Sequence, residues 1–194
     1  MKTHAAFAAT LSAVLLMTSV AGTTRAADAA GSDLTLKATM QRLVDREAIV
    51  ELLVTYARLL DKKDLPGYSR LFAADGVWEG GIGSAKGPAE IQQMLERVYG
   101  RAGADKFGSG AYHIMSDFIV DIDRDVATSW SRWTWIVEGR DGKPAIERSG
   151  HYEDKLVRVA GQWRFKHRLT VTEMPTPQKD TEARIFRRDH REKD

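Results

Sequence analysis

Residues 56–80, YARLLDKKDLPGYSRLFAADGVWEG, decide the fold. Just upstream, Ile49, Leu52, Leu53, Tyr56 and Leu60 recur at helical spacing. That predicts an amphipathic helix over REAIVELLVTYARLL, with Asp45 as its N-cap and Glu47 in the favourable first turn. The helix breaks at Asp61 and the chain restarts at Asp64, which caps a short second helix carrying Pro66 in its first turn. Asp75-Gly76 then turns the chain into a short strand around Val77 to Glu79. Asp61 is the anomaly, because a helix C-terminus disfavours negative charge. It follows Ala57 by four positions and Leu53 by eight, so it borders the buried stripe. A carboxylate there costs free energy unless a cation or a proton donor answers it.

Working outward, Gly87-Pro88 opens a third helix with Ile91, Met94, Leu95 and Val98 on one face and Gly100 as its stop. Residues 100–110, GRAGADKFGSG, hold four glycines and read as a mobile loop. Strand patterns follow: AYHIMSDFIVDI, a turn at Asp123-Arg124-Asp125, VATSWSRWTWIVE, and a hairpin through Asp141-Gly142. The strand from Ile146 to Val159 turns at Ala160-Gly161 into QWRFKHRLTVTEM. Residues 175–194 form a charged tail whose large apolar residues are Ile185 and Phe186. Helices first and hairpin-linked strands afterwards predict an α+β domain over 40–174. Three N-terminal helices would pack on a curved, mostly antiparallel sheet, and the open end of that cone is a natural pocket.

Residues 1–26 read as a cleavable secretory leader: a short basic start, the apolar run AAFAATLSAVLLMTSVAG, then small residues, with cleavage after Ala26 or Ala29. The alternative is a membrane anchor, but the run is short and diluted with Ala, Ser and Thr. No cysteine is present to carry a lipid. The expected location is therefore the periplasm or the exterior, with no membrane contact after cleavage, and 27–39 as a flexible segment. Losing 1–26 removes Lys2 and Arg25 and no acid, so Lys+Arg falls from 29 to 27 against 27 Asp+Glu. The remaining chain is neutral, which speaks against nucleic acid as a partner. With no cysteine there are no disulfides and no thiolate sites.

Four histidines lie beyond the leader. His190 sits in the charged tail. His113 opens a strand directly after the glycine-rich loop, where it is either a satisfied structural residue or a base. If Asp61 meets it, the carboxylate fixes the imidazole tautomer and leaves the other nitrogen as a general base. Period two places His167 with Trp163, Phe165, Leu169 and Val171 on the apolar face, lining the pocket or filling the core, and turns Arg164, Lys166, Arg168 and Thr170 the other way. His151 shares a face with Glu153 and Lys155 and is expected to be exposed. Trp133 and Trp135 share a strand face while Trp130 takes the opposite one with Arg132; packing or a ligand wall would each account for them. The pattern holds no HExxH and no paired histidines at ligand spacing, and GGIGSAKG lacks the context of a phosphate loop. Neither a metal nor a cofactor is expected.

Four stretches together carry a resemblance: LVDREAIVELLVTYARLLDKKDLPGYSRLFAADGVWEG, KGPAEIQQML, YHIMSDFIVDIDRDVATSWSRW and GHYEDKLVRVAGQWRFKHRLTV. They resemble the SnoaL-like group of the nuclear transport factor two-like superfamily, whose fold is a cone. Its members include dehydratases, isomerases, dehydrochlorinases, lyases and binding modules. Among its enzymes the chain is similar to the scytalone dehydratases and the hexachlorocyclohexane dehydrochlorinases. That resemblance implies a catalytic pair at Asp61 and His113, with Tyr56, at the dehydrochlorinase lysine position, as a phenolic donor. Leu60 departs from the tyrosine of the dehydratases, and their second histidine falls near Ile136. Trp78, Trp133, Trp135, His167 and Ile136 are the implied substrate-binding wall. The implied function is a cofactor-independent lyase, dehydratase or isomerase acting on a small, largely apolar cyclic or aromatic substrate. The alternatives are a small-molecule-binding module and an assembly subunit, and a homodimer or homotrimer is expected.

Overall fold

The computed structural model describes residues 13–102 and 110–174. The start of the expected leader, the loop segment 103–109 and the tail 175–194 fall outside the described residues. Two compact units divide at Val44/Asp45.

The first unit is helical from residue 13 onward, within α1 (Ala13–Asp61). The segment 27–39, expected to be flexible, lies within this helix. Its residues favour that outcome: alanines recur, no proline interrupts, and Lys37 pairs with Asp33 one turn away at 2.7 Å. The hydroxyls of Thr35 and Thr39 donate to the carbonyls of Gly31 and Thr35, each at 2.9 Å. Residues 31–44 are all exposed. Among the described residues no helix is long and apolar enough to cross a membrane.

The second unit begins with Asp45, which lies inside α1 and so caps nothing. A residue within a continuous helix has no orphan N–H groups to satisfy. Its carboxylate is buried and takes two bonds from the Arg158 guanidinium, at 2.7 and 2.8 Å. After Asp61 come α2 (Leu65–Ser69), β1 (Phe72–Gly80), β2 (Gly83–Lys86), α3 (Gly87–Ala102), β3 (Tyr112–Asp123), β4 (Val126–Glu138), β5 (Pro144–Val159) and β6 (Gln162–Met174). Asp64 caps α2 as expected, accepting from the Gly67 N–H at 2.8 Å. β1 starts five residues earlier than Val77, β2 is an unforeseen edge strand paired with it, and α3 continues through Gly100.

The six strands form one sheet in the order β2-β1-β6-β5-β4-β3, antiparallel except where β1 runs parallel to β6. Register shifts interrupt the ladders at Ser116/Ile119, Trp135/Ile136, Ser149/Gly150 and Lys155/Leu156. Such bulges bend a strand and tighten its twist, and here they curl the sheet. Ile49, Leu53 and Tyr56 of α1, Ile91 and Leu95 of α3, and Leu156 and Phe165 of the sheet are buried together in the core.

One bulge changes the identity of the inner face. Phe165 pairs with Leu156 and His167 with Lys155, so β6 spends two steps against one on β5 and Lys166 is the extra residue. Beyond it the alternation inverts. Arg168, not His167, becomes fully buried, and Thr170 and Thr172 follow it to the cavity side. His167 goes to the opposite face, half-buried, 3.3 Å from Glu79 Oε2.

Candidate active site

Asp61 closes α1 and His113 is the second residue of β3. His113 Nδ1 stands 2.6 Å from Asp61 Oδ1, and the backbone N–H of His113 donates to Oδ2 at 3.0 Å. Both carboxylate oxygens are therefore spent on one residue. Since a carboxylate only accepts, the ring proton belongs on Nδ1, and Nε2 is left bare. The two side chains are sheltered but reachable, 14% exposed for His113 and 18% for Asp61. This also answers the helix-end anomaly: two N–H donors meet the charge that the dipole opposes.

His113 lines a cavity of about 420 Å³ enclosed by α1, α3 and the sheet, and Asp61 stands behind it. Two larger hollows, of about 580 and 520 Å³, lie elsewhere on the sheet and include neither residue. The smallest of the three is the one that His113 lines. Trp133 and Trp135 form its aromatic wall, with Trp135 stacked on the His113 ring at 6.2 Å and 19°. Gly150 makes room for this wall: a Cβ there would lie 2.9 Å from the Trp133 ring and 1.9 Å from the Val171 carbonyl oxygen. Ile136 is buried but does not line the cavity, because it follows Trp135 and alternation turns it to the other face. His167 does not line it either, for the bulge at Lys166.

Tyr56 also lines the cavity, 1% exposed, with Trp78 Nε1–H donating to its oxygen at 2.9 Å and the Tyr68 hydroxyl at 2.5 Å. With two donors accepted, the Tyr56 proton remains for a third partner. Burial drives the Tyr68 phenol far above its usual pKa, with Tyr56 close by adding to the effect, so it stays a neutral donor. Tyr99, also on the cavity, is raised by burial and by the charge of Asp61 among others. Lys63 is lowered by burial, with Asp61 pulling the other way, and its Nζ sits 4.4 Å over the Tyr99 ring.

Beneath Tyr56 lies a cation that alternation assigned to the wet face. Arg168 is fully buried and binds Asp154 twice, at 2.7 and 2.8 Å, while Ser129 donates to the same carboxylate. Its guanidinium lies 3.9 Å from the Tyr56 ring centre and 4.1 Å from those of Tyr152 and Phe165. Burial opposes its charge, yet Asp154 outweighs burial and holds its pKa above the ordinary arginine value. No composition signal marks this residue; only the extra Lys166 reveals it.

His151, expected to be exposed, is buried. It keeps the face it was assigned, but Trp130 stacks on it at 5.3 Å and Glu173 and Glu153 approach its two nitrogens. Among the described residues no group of three or more His, Cys, Asp or Glu side chains converges as a metal site.

Comparison with known proteins assigns the fold first and the family second. An NTF2-like protein with a cystatin-like fold from Novosphingobium aromaticivorans aligns with a TM-score of 0.63 and 26% identity, covering 72% of this chain and 88% of that one. A protein of unknown function with a cystatin-like fold from Nostoc punctiforme gives 0.59 and 28%, covering 69% and 95%. A third, from Novosphingobium aromaticivorans and provisionally assigned as a scytalone dehydratase, gives 0.58 and 28%, covering 70% and 89%. No curated protein matches. Residues 41–169 match the SnoaL-like domain, well over half of the 194, and the chain belongs to that family.

Proposed function

We propose that the protein is a cofactor-independent lyase, dehydratase or isomerase acting on a small, largely apolar cyclic or aromatic substrate. The observation that supports it is the two-point grip of Asp61 on His113 at the wall of an aromatic cavity. In this reading His113 Nε2 takes a proton from carbon or from a hydroxyl of the bound ring. Asp61 stabilises the imidazolium that forms. For a dehydration, the electrons of the broken C–H bond form a C=C bond, the C–O bond breaks, and Tyr56 supplies the proton to the departing oxygen. Trp78, Trp133 and Trp135 hold the ring by apolar contact, and the cavity size suits one small molecule. The likeness to a provisionally assigned scytalone dehydratase supports the same reaction class.

The proposal includes export by the leader at 1–26 and assembly as a homodimer or homotrimer. N-terminal sequencing of secreted protein and light scattering test those two points. The catalytic reading is tested by incubating candidate ring substrates in heavy water with wild type and His113→Ala. Wild type exchanges a carbon-bound proton and the variant does not; equal exchange by both removes His113 from the mechanism.

A further inference from the structure

Two cations among the described residues line the cavity, Arg148 and Lys63, and proton transfer uses neither. Arg148 lies on β5 and lines the cavity. Strand register places it directly opposite Trp135 on β4, which in turn lies opposite His113 on β3. Directly paired residues on neighbouring strands face the same side, so base, aromatic surface and cation form one row across three strands. Two strand spacings separate the ends of that row, about 10 Å between backbones.

An exposed arginine at a rim is ordinarily a solvated side chain, and its neighbours show what differs here. β4, β5 and β6 carry five arginines. Arg132, Arg158 and Arg168 each bind a carboxylate, and Arg164 binds Gln162. Arg148 alone has no hydrogen-bond or ion-pair partner among the described residues. The cavity's other cation, Lys63, is engaged by the Tyr99 ring and the field of Asp61. An uncommitted guanidinium beside low-dielectric aromatic walls is a ready hydrogen-bond donor to a planar anion.

We infer that the substrate is a flat ring acid, its carboxylate held by Arg148, its ring against Trp135, and its reacting carbon or hydroxyl at His113. Arg148 then determines specificity, and a ring of the same shape without the charge binds poorly. The inference rests on the proposed function for the role of His113 but not for the binding it predicts.

The experiment is calorimetric titration with two probes of one shape, naphthalene-2-carboxylate and naphthalene-2-carboxamide. Wild type binds the carboxylate about tenfold more tightly, the effect of one charge-assisted hydrogen-bonded pair. Arg148→Met removes the preference by weakening the carboxylate alone, Arg148→Lys keeps part of it, and Trp135→Ala weakens both probes. A carboxylate that binds no better than the amide, or not at all, overturns the inference, as does a preference that survives in Arg148→Met. Because binding is read rather than turnover, and is repeated in His113→Ala, failure of the catalytic reading leaves this comparison standing.

Discussion

Among the histidine–carboxylate pairs of the described residues, two are built almost alike, one on each face of the same sheet. His113 meets Asp61 at 2.6 Å and stacks on Trp135; His151 meets Glu173 at 2.7 Å and stacks on Trp130. Their side chains are similarly sheltered, 14% and 11% exposed. The difference lies in the second nitrogen. Glu153 approaches Nε2 of His151 at 3.3 Å, and Glu173 is itself tied to Arg132 at 2.6 Å. Nε2 of His113 has no partner among the described residues, and its ring faces a cavity. A histidine bound at both nitrogens is held as a strut; one bound at a single nitrogen beside a cavity keeps a lone pair with which it can act as a base.

The largest expected effect separates the two pairs outright. His113→Ala lowers turnover of a ring substrate by roughly 10²–10⁴-fold, the range for one acid–base group. His151→Ala leaves it within a few-fold, because His151 does not line the His113 cavity. Steady-state rates of the two variants side by side make the test, and a comparable loss in both would dissolve the distinction. Asp61→Asn belongs next, at about 10²-fold. The amide can still bond the ring but cannot balance an imidazolium, so the loss falls on kcat and the pH–rate profile changes shape while ring binding persists.

Stability supplies the next contrast. Arg168 and Asp154 form a fully buried ion pair, so Asp154→Asn leaves a charge without its partner and costs about 3–5 kcal/mol in urea unfolding. The outer pair has a smaller effect, and its sign follows from the direction of one pKa. Burial raises Glu173, but hydrogen bonds from Arg132 and His151 outweigh it and leave the carboxyl below its usual value of 4.5. A depressed folded pKa gives stability that is complete above the unfolded value and lost as pH falls through the folded one. Wild type therefore loses stability below pH ~4.5 that Glu173→Gln never had. The difference is at most about 1 kcal/mol, since the side chain is one-third exposed and screened. Thermal melts of both proteins between pH 3 and 6 read it.

These contrasts also show what a linear sequence conceals. The Asp64 cap, the hairpins, the shared face of Trp133 and Trp135 and the position of His113 are local consequences of propensity and alternation, and all were legible. Parity along a strand survives only until a bulge. Lys166 is one extra residue, yet it exchanged the places of His167 and Arg168 and removed a candidate from the pocket while hiding a cation beneath Tyr56. Alternation put His151 on the correct face, but its burial comes from Trp130 and Glu173 on neighbouring strands, which spacing within β5 does not encode. Asp45 read as a cap because Asp before an apolar run usually is one; its partner is Arg158, 113 positions away. Arg148 carried no signal at all until strand register aligned it with Trp135 and His113.

The central claim concerns a single nitrogen, and ring-nitrogen NMR observes it without knowledge of the substrate. In ¹⁵N-labelled protein, neutral His113 is predicted to carry its proton on Nδ1, with Nε2 at the unprotonated shift and moving when a ring ligand is added, while the His151 signals stay fixed. A proton on Nε2 with Nδ1 bare, or ligand-induced shifts at His151 and none at His113, contradicts the account.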